Sequence, residues 1–212
     1  MPKFLIADDH PLFREALKGA LSPLYEAVEF TESDGLESTI ESIERSGHLD
    51  IILLDLSMPG CENFYGVIRV CGDYPHIPVI VISASDHPKI ISQALAYGAK
   101  GYVSKSAAVA SISEAIDTVL NGGTWVPEEL KNQIDNISDE QQEIAAMVSE
   151  LTPKQFLVLN YLQEGKLNKQ IAYDMSVTEA TVKAHTSAIF KKLKVNTRTQ
   201  AVLLVEKLQT NI

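Results

Sequence analysis

Five side chains in the first half of the chain are of types that could do chemistry together: the adjacent acids Asp8 and Asp9, a third acid at Asp55, the hydroxyl of Ser83 and the ammonium of Lys105. Each stands at the end of a short apolar run. Asp8-Asp9 follow Phe4-Leu5-Ile6-Ala7, Asp55 closes Ile51-Ile52-Leu53-Leu54, Ser83 closes Val79-Ile80-Val81-Ile82, and Lys105 follows Gly101-Tyr102-Val103-Ser104. Three crowded carboxylates repel one another unless a hard cation neutralises them, and Mg2+ takes oxygen ligands while keeping waters and substrate oxygens. Phosphoryl transfer asks for an acceptor oxygen, a metal, and cationic or donor groups where charge spreads, because positioning and electrostatics supply most of its catalysis. Singly, Asp-Asp reads as a helix cap, Lys105 as a surface lysine and Ser83 as a turn residue. Their joint appearance at the ends of four apolar runs selects the chemical reading.

The runs Phe4–Ala7, Ile51–Leu54 and Val79–Ile82 are continuously apolar, as parallel strands covered on both faces are. With weaker runs at Ala27–Phe30 and Gly101–Val103 they predict five strands. Between them, helical periodicity fits Pro11–Leu21, Leu36–Arg45, Phe64–Asp73, Pro88–Tyr97 and Val109–Leu120, the last ending at Gly122-Gly123. Five βα units predict one doubly wound α/β domain, whose ligands bind outside the carboxyl ends of the strands. The chemical residues all fall at those ends.

The 212 residues exceed one average domain, and 45% hydrophobic with 22% charged residues is a globular composition. Charge is unevenly divided. Residues 1–122 hold 8 Lys and Arg against 17 Asp and Glu, residues 123–150 hold 1 against 7, and residues 151–212 hold 9 against 4, within a net −10. The basic tail alone is suited to a polyanion such as nucleic acid. Cys61 and Cys71, ten positions apart, match neither a redox pair nor a zinc site and are read as reduced thiols. No apolar run is long enough to cross a bilayer and no leader pattern opens the chain, so a cytoplasmic location is expected.

Residues 123–150 read as an acidic linker containing a helix, with Ser138 and Gln141 forming a capping box and Ile144, Met147, Val148 and Leu151 at helical spacing. Four further helices follow. Thr152-Pro153-Lys154-Gln155 opens one to about Glu164, Asn168 caps a short one through Met175, Thr178 caps one to Leu193, and Thr197 with Gln200 opens one to about Leu208. The second and third make a helix-turn-helix about Ser176-Val177. On the third, Val182, Thr186, Ile189 and Leu193 predict a core face, with Lys183, Ala184, Ser187, Lys191 and Lys194 mostly opposite.

With its Asp8-Asp9, its Asp55-Leu56-Ser57-Met58-Pro59-Gly60, its Ser83-Ala84 and its Lys105, the segment 1–122 resembles the receiver domain of two-component response regulators, a flavodoxin-like fold. The resemblance implies that Asp55 is the phosphoacceptor and that Asp9, Asp55 and the Ser57 carbonyl bind Mg2+, Asp8 acting through water. It further implies Ser83 and Lys105 as catalytic partners and Ser83 with Tyr102 as a switch pair, the hydroxyl moving toward the phosphoryl group as the ring turns inward. The sequence departs from the pattern at Ser106, where many receivers have Pro, and at Asn63, where many have Gly.

The strings Leu151-Thr152-Pro153, Asn168-Lys169-Gln170-Ile171-Ala172, Thr181-Val182-Lys183-Ala184-His185 and Lys192 through Val202 closely resemble the LuxR/FixJ-type output domain. This implies a recognition helix at about 179–193 in the major groove. Lys183, Ala184 and Ser187 would read bases, Thr181, His185 and Lys191 would be further contacts, and the final helix would pair with a second copy. His185 is read as a phosphate or packing contact, Ser187 stands where many relatives have Lys or Arg, and Gln155-Phe156 replace a usual charged pairing.

The divisions expected are a receiver at 1–122, a linker at 123–147 and a DNA-binding domain at 148–212. The leading function is a phosphorylation-controlled transcriptional regulator that accepts phosphoryl from a sensor histidine kinase and binds double-stranded promoter DNA as a homodimer, with RNA polymerase as a further partner and no membrane. It would be no enzyme beyond its own phosphorylation and dephosphorylation. The rivals are a Mg2+-dependent aspartyl-phosphate phosphohydrolase, which leaves 151–212 unexplained, and a phosphorylation-independent interaction module.

Overall fold

The computed structural model describes residues 1–61, 64–133 and 139–207 and divides the chain into two compact units, Met1–Ile137 and Ser138–Ile212. In the first, the strands β1 (Lys3–Ala7), β2 (Glu29–Ser33), β3 (Ile51–Asp55), β4 (Val79–Ser83) and β5 (Gly101–Ser104) form one parallel sheet in the order β2-β1-β3-β4-β5. The helices α1 (Pro11–Leu21), α2 (Leu36–Ser46), α3 (Tyr65–Asp73), α4 (Pro88–Ala96) and α5 (Val109–Leu120) alternate with them. Side chains of a strand point alternately to the two faces. Phe4, Ile6, Ile51, Leu53, Ile80, Ile82 and Val103 therefore share a core with Leu17 and Leu21 of α1 and Ile112, Ile116 and Val119 of α5. Leu5, Ile52, Leu54, Val79 and Val81 are equally buried and alternate onto the opposite face, where α2, α3 and α4 meet the sheet. This two-faced burial explains why the strands read as continuous apolar runs.

The second strand starts two residues later than its apolar run suggests. Ala27 is in the left-handed region, at φ 55°, so the chain is still turning there, and β2 is an edge strand whose first residue Glu29 is exposed. Phe64 likewise precedes α3 rather than opening it, at φ 66°, with its ring 5.6 Å from that of Tyr97. Asn63 and Ser138 lie outside the described residues, as do the Gln141 side chain and Leu208. Cys61 and Cys71 are both thiols, and burial pushes that of Cys71 up to about 12.

After α5 the chain returns to the sheet. Trp125 bridges Gly101 in parallel, donating its N–H to the Lys100 carbonyl at 3.0 Å and accepting from the Tyr102 N–H at 3.1 Å, and its indole packs on the core beneath α5. A short 3-10 helix follows at Glu128–Gln133.

The second unit contains α6 (Asp139–Ser149), α7 (Pro153–Gln163), α8 (Asn168–Asp174), α9 (Glu179–Lys192) and α10 (Arg198–Glu206). Capping residues set these starts. Thr152 with Gln155 and Thr197 with Gln200 form reciprocal boxes, and the Thr178 hydroxyl accepts from the Thr181 N–H. Asn168 is not a cap: it is the first helical residue of α8, and Gln170 reaches back to the Leu167 N–H at 2.8 Å. Ile144, Val148, Leu151, Phe156, Leu159, Leu162, Ile171, Val182, Ile189, Leu193 and Val205 are buried. Thr186, read as a core residue, is only half-buried and returns its hydroxyl to the Val182 carbonyl.

Candidate functional sites

The strand order reverses between β1 and β3, so their carboxyl ends flank a crevice, the position where open α/β sheets bind ligands. Asp8 and Asp9 follow β1 there and Asp55 ends β3. Asp8 and Asp55 are almost wholly buried, at 2% and 1% exposure, and Asp9 is partly exposed. The Lys105 ammonium reaches in from beyond β5, 2.7 Å from Asp8 Oδ2 and 3.1 Å from Asp55 Oδ2. Burial raises the Asp55 carboxyl above the ordinary carboxylate range against the opposing pull of Lys105. Burial pulls the Lys105 ammonium down, and its bonds to Asp8 and Asp55 outweigh that, leaving it raised.

The loop after β3 is shaped by its own residues. Met58 is buried, the Cys61 N–H donates to the Met58 carbonyl at 3.0 Å, and Gly60 holds φ 84°, so Met58-Pro59-Gly60-Cys61 closes a turn of the kind Pro-Gly favours. A Cβ on Gly60 would also come within 3.0 Å of Leu36. The Pro59 carbonyl accepts from the Leu36 N–H at the start of α2, which ties the loop down. Ser57 is exposed on this loop and its backbone N–H favours the Asp55 carboxylate.

On the other side, the Lys105 N–H donates to the Ser83 carbonyl at 2.7 Å, and the Ser83 hydroxyl accepts from the Ser85 N–H at 3.3 Å. The Tyr102 ring is fully buried and its hydroxyl donates to the Ser85 carbonyl at 2.6 Å. Ser83 and Tyr102 are thus joined through Ser85, with the ring turned inward.

His10 is a member of the cluster that the residue pattern did not single out. Its Nδ1 lies 2.6 Å from Asp9 Oδ1 and 3.1 Å from Asp8 Oδ1, and its N–H donates to Asp8 Oδ1 at 2.9 Å. One ligand atom from each of Asp8, Asp9, His10 and Asp55 falls within a span of 4.8 Å. Among the described residues the Asp55 oxygens have few partners, and the one ammonium that reaches them, that of Lys105, is shared with Asp8. Buried carboxylate oxygens in that condition fit a hard divalent cation, for which oxygen donors are the preferred ligands.

In the second unit, α9 buries Val182 and Ile189 and exposes Lys183, Ala184, Ser187 and Lys191, with Lys194 exposed just beyond its end. Thr181 and His185 are half-buried, and the Thr181 hydroxyl is drawn into the helix cap, 2.9 Å from that of Thr178. Lys192 turns inward, donating to the Glu150 carbonyl at 2.6 Å and to Gln155 Oε1 at 2.8 Å, so Gln155 supplies a neutral acceptor at the start of α7. Arg198 donates to the carbonyls of Lys166 and Leu162, joining α10 to the end of α7. The outward face of α9 thus carries basic and small residues.

Residues 4–117 match the model of the response regulator receiver domain, and residues 149–205 match that of the bacterial regulatory proteins of the luxR family. The chain belongs to the response regulators that join a receiver to a LuxR-type DNA-binding domain. It is similar to the glycerol metabolism activator of Pseudomonas putida, 41% identical over 208 residues, covering 96% of this chain and 94% of that one. It is 29% identical over 204 residues to the nitrate/nitrite response regulator protein NarL of Escherichia coli K12, covering 96% and 94% of the two chains. Its fold is that of RcsB of Salmonella typhimurium, with a TM-score of 0.55 at 23% identity over 97% of this chain and 98% of that one. A structure of RcsB bound to a promoter in the presence of the phosphomimetic BeF3−, 22% identical, also has a TM-score of 0.55.

Proposed function

We propose that Asp55 is the phosphoacceptor and that its phosphorylation controls DNA binding by the second unit. The observation that carries this reading is a nearly wholly buried carboxylate, short of hydrogen-bond partners and 3.1 Å from an ammonium, at the crevice of a receiver fold. An Asp55 oxygen attacks the phosphorus of a phosphohistidine on a sensor kinase. The new O–P bond forms as the P–N bond breaks, and the imidazole leaves with the electron pair. Lys105 stabilises the charge spread over the phosphoryl oxygens, and the Ser83 hydroxyl donates to one of them. Asp9, Asp55 and the Ser57 carbonyl would hold Mg2+, with Asp8 contributing through water; the ion neutralises phosphoryl charge when bound. Ser83 and Tyr102 would carry the change outward. Beyond forming and hydrolysing its own aspartyl phosphate, the chain has no enzymatic role in this reading.

The parts divide as a receiver at 1–122, a linker at 123–147 and a DNA-binding domain at 148–212, the linker's helix α6 belonging with the second compact unit. Lys183, Ala184 and Ser187 would meet base edges, and Lys191, with Thr181 and His185, the backbone. Pairing of two copies on an inverted repeat supplies contacts that one short helix lacks. The bound promoter of RcsB and the RcsB dimers on DNA favour the same use here. RNA polymerase is the further partner of such a regulator. Among the described residues no helix is long and apolar enough to cross a membrane.

The test is incubation with acetyl phosphate and Mg2+. Label is expected on Asp55, absent from Asp55→Asn, and much reduced in Lys105→Ala. Undiminished labelling of Asp55→Asn would overturn the assignment, and turnover of an external phosphate ester dependent on Asp55 would favour the phosphohydrolase.

A further inference from the structure

Phe13 has no part in the function proposed above, yet it touches the site. It is the third residue of α1, and its ring lies partly buried against the core shared by α1 and α5. The Lys105 ammonium lies 5.0 Å from the centroid of that ring while contacting Asp8 and Asp55. The Lys105 side chain is 17% exposed, so the contact is largely shielded from water. A lysine carries its charge on a flexible four-carbon stem and gains no direction from its own geometry. An aromatic face attracts a cation through its quadrupole, and more strongly when the pair is desolvated. Unlike a third carboxylate, the ring takes no directed N–H, which leaves the three donors of the ammonium for oxygens around Asp55.

We propose that Phe13 is a positioning residue for phosphorylation: the face of its ring holds the Lys105 ammonium at the acceptor carboxylate. The inference rests on the reading that Lys105 acts at Asp55. An aliphatic residue could fill the same part of the core but could not hold the charge, so electrostatics and packing can be separated.

The experiment replaces Phe13 in the full chain with mono-, di- and trifluorinated phenylalanine, which drain the ring face at nearly constant size. The rate of Asp55 labelling by acetyl phosphate with Mg2+ is expected to fall stepwise, about three- to tenfold over the series, with the unfolding midpoint unchanged. Phe13→Leu should be as slow as the trifluorinated protein, and Phe13→Trp should keep the rate. Proton NMR supplies a readout independent of turnover: the Lys105 methylene next to the ammonium should be shifted upfield by the ring, and the shift lost in Phe13→Leu. Labelling indifferent to fluorination, or no ring-induced shift, overturns the proposal. A normal labelling rate in Lys105→Ala overturns the reading beneath it, and the proposal with it.

Discussion

Asp55 illustrates how a buried carboxylate burdens its own fold. Burial holds its carboxyl above the ordinary range, so ionising it costs the folded chain more than the unfolded one. The sign follows by linkage: the cost is absent at low pH, where folded and unfolded chains both hold the proton, and is present in full above the folded value. Asp55→Asn imitates the protonated shape at every pH. In metal-free buffer its unfolding midpoint is therefore expected above that of the unmodified protein at pH 7, the gap closing as pH falls through the carboxylate range. Thermal scans by circular dichroism across that range check this, and a gap independent of pH would refute it. On α9 the same reasoning by residue separates Lys183 from Lys191, both exposed. Lys183→Ala is expected to relax base preference at one symmetric position, by about 1–3 kcal/mol of discrimination. Lys191→Ala should weaken all sequences alike and lower the salt slope by about one per protomer. Titrations on a panel of mutated sites at several salt concentrations distinguish them.

At the scale of elements, the segment after α5 has two loyalties. Trp125 extends the edge of β5 and shields its indole on the first core, whereas α6 buries Ile144 and Val148 in the second unit. Glu140 of α6 also pairs with Lys207 just past α10, at 2.6 Å. A fragment that starts at 148 thus leaves out the buried side chain of Ile144. Ile144→Ala is expected to destabilise the second unit by about 2–4 kcal/mol, the usual cost of opening such a cavity. Urea unfolding of a 138–212 fragment, followed by circular dichroism, checks it; a loss under 1 kcal/mol would mean that α6 is not part of that core.

For the whole molecule the governing quantity is charge. Residues 1–137 carry 9 Lys and Arg against 20 Asp and Glu, and residues 138–212 carry 9 against 8. A phosphate backbone approached by the full chain meets a repulsive field that the isolated second unit does not produce. The fragment 138–212 is therefore expected to bind DNA more tightly than the unphosphorylated full chain at low salt. Screening should narrow the difference as salt rises. Fluorescence anisotropy at matched oligomeric state measures both, and equal affinity at low salt would defeat the idea.

Much of this was legible in the residues. Continuous apolar runs ending in Asp8-Asp9, Asp55, Ser83 and Lys105 announced a parallel sheet with its chemistry at one edge, because the side-chain period and the strand direction are local properties. The Thr152, Thr178 and Thr197 caps were equally legible, since a cap is read within four residues. The start of β2 was not, because an edge strand is fixed by its partner β1 rather than by its own burial pattern. Nor was the cap of α8, where Gln170 and not Asn168 supplies the bond. His10 and Phe13 read as ordinary residues at the start of a helix. Only the approach of β1, β3 and β5 brought three carboxylates and an ammonium within reach of them. The pairing of Trp125 with Gly101 is likewise a contact between an open sheet edge and a segment without strand character of its own. The sequence by itself determined which charged and polar groups stand at the strand ends and in what order the elements follow. Tertiary structure alone decided which neighbours hold those groups, because contacts between residues distant in the chain depend on packing that no local pattern encodes.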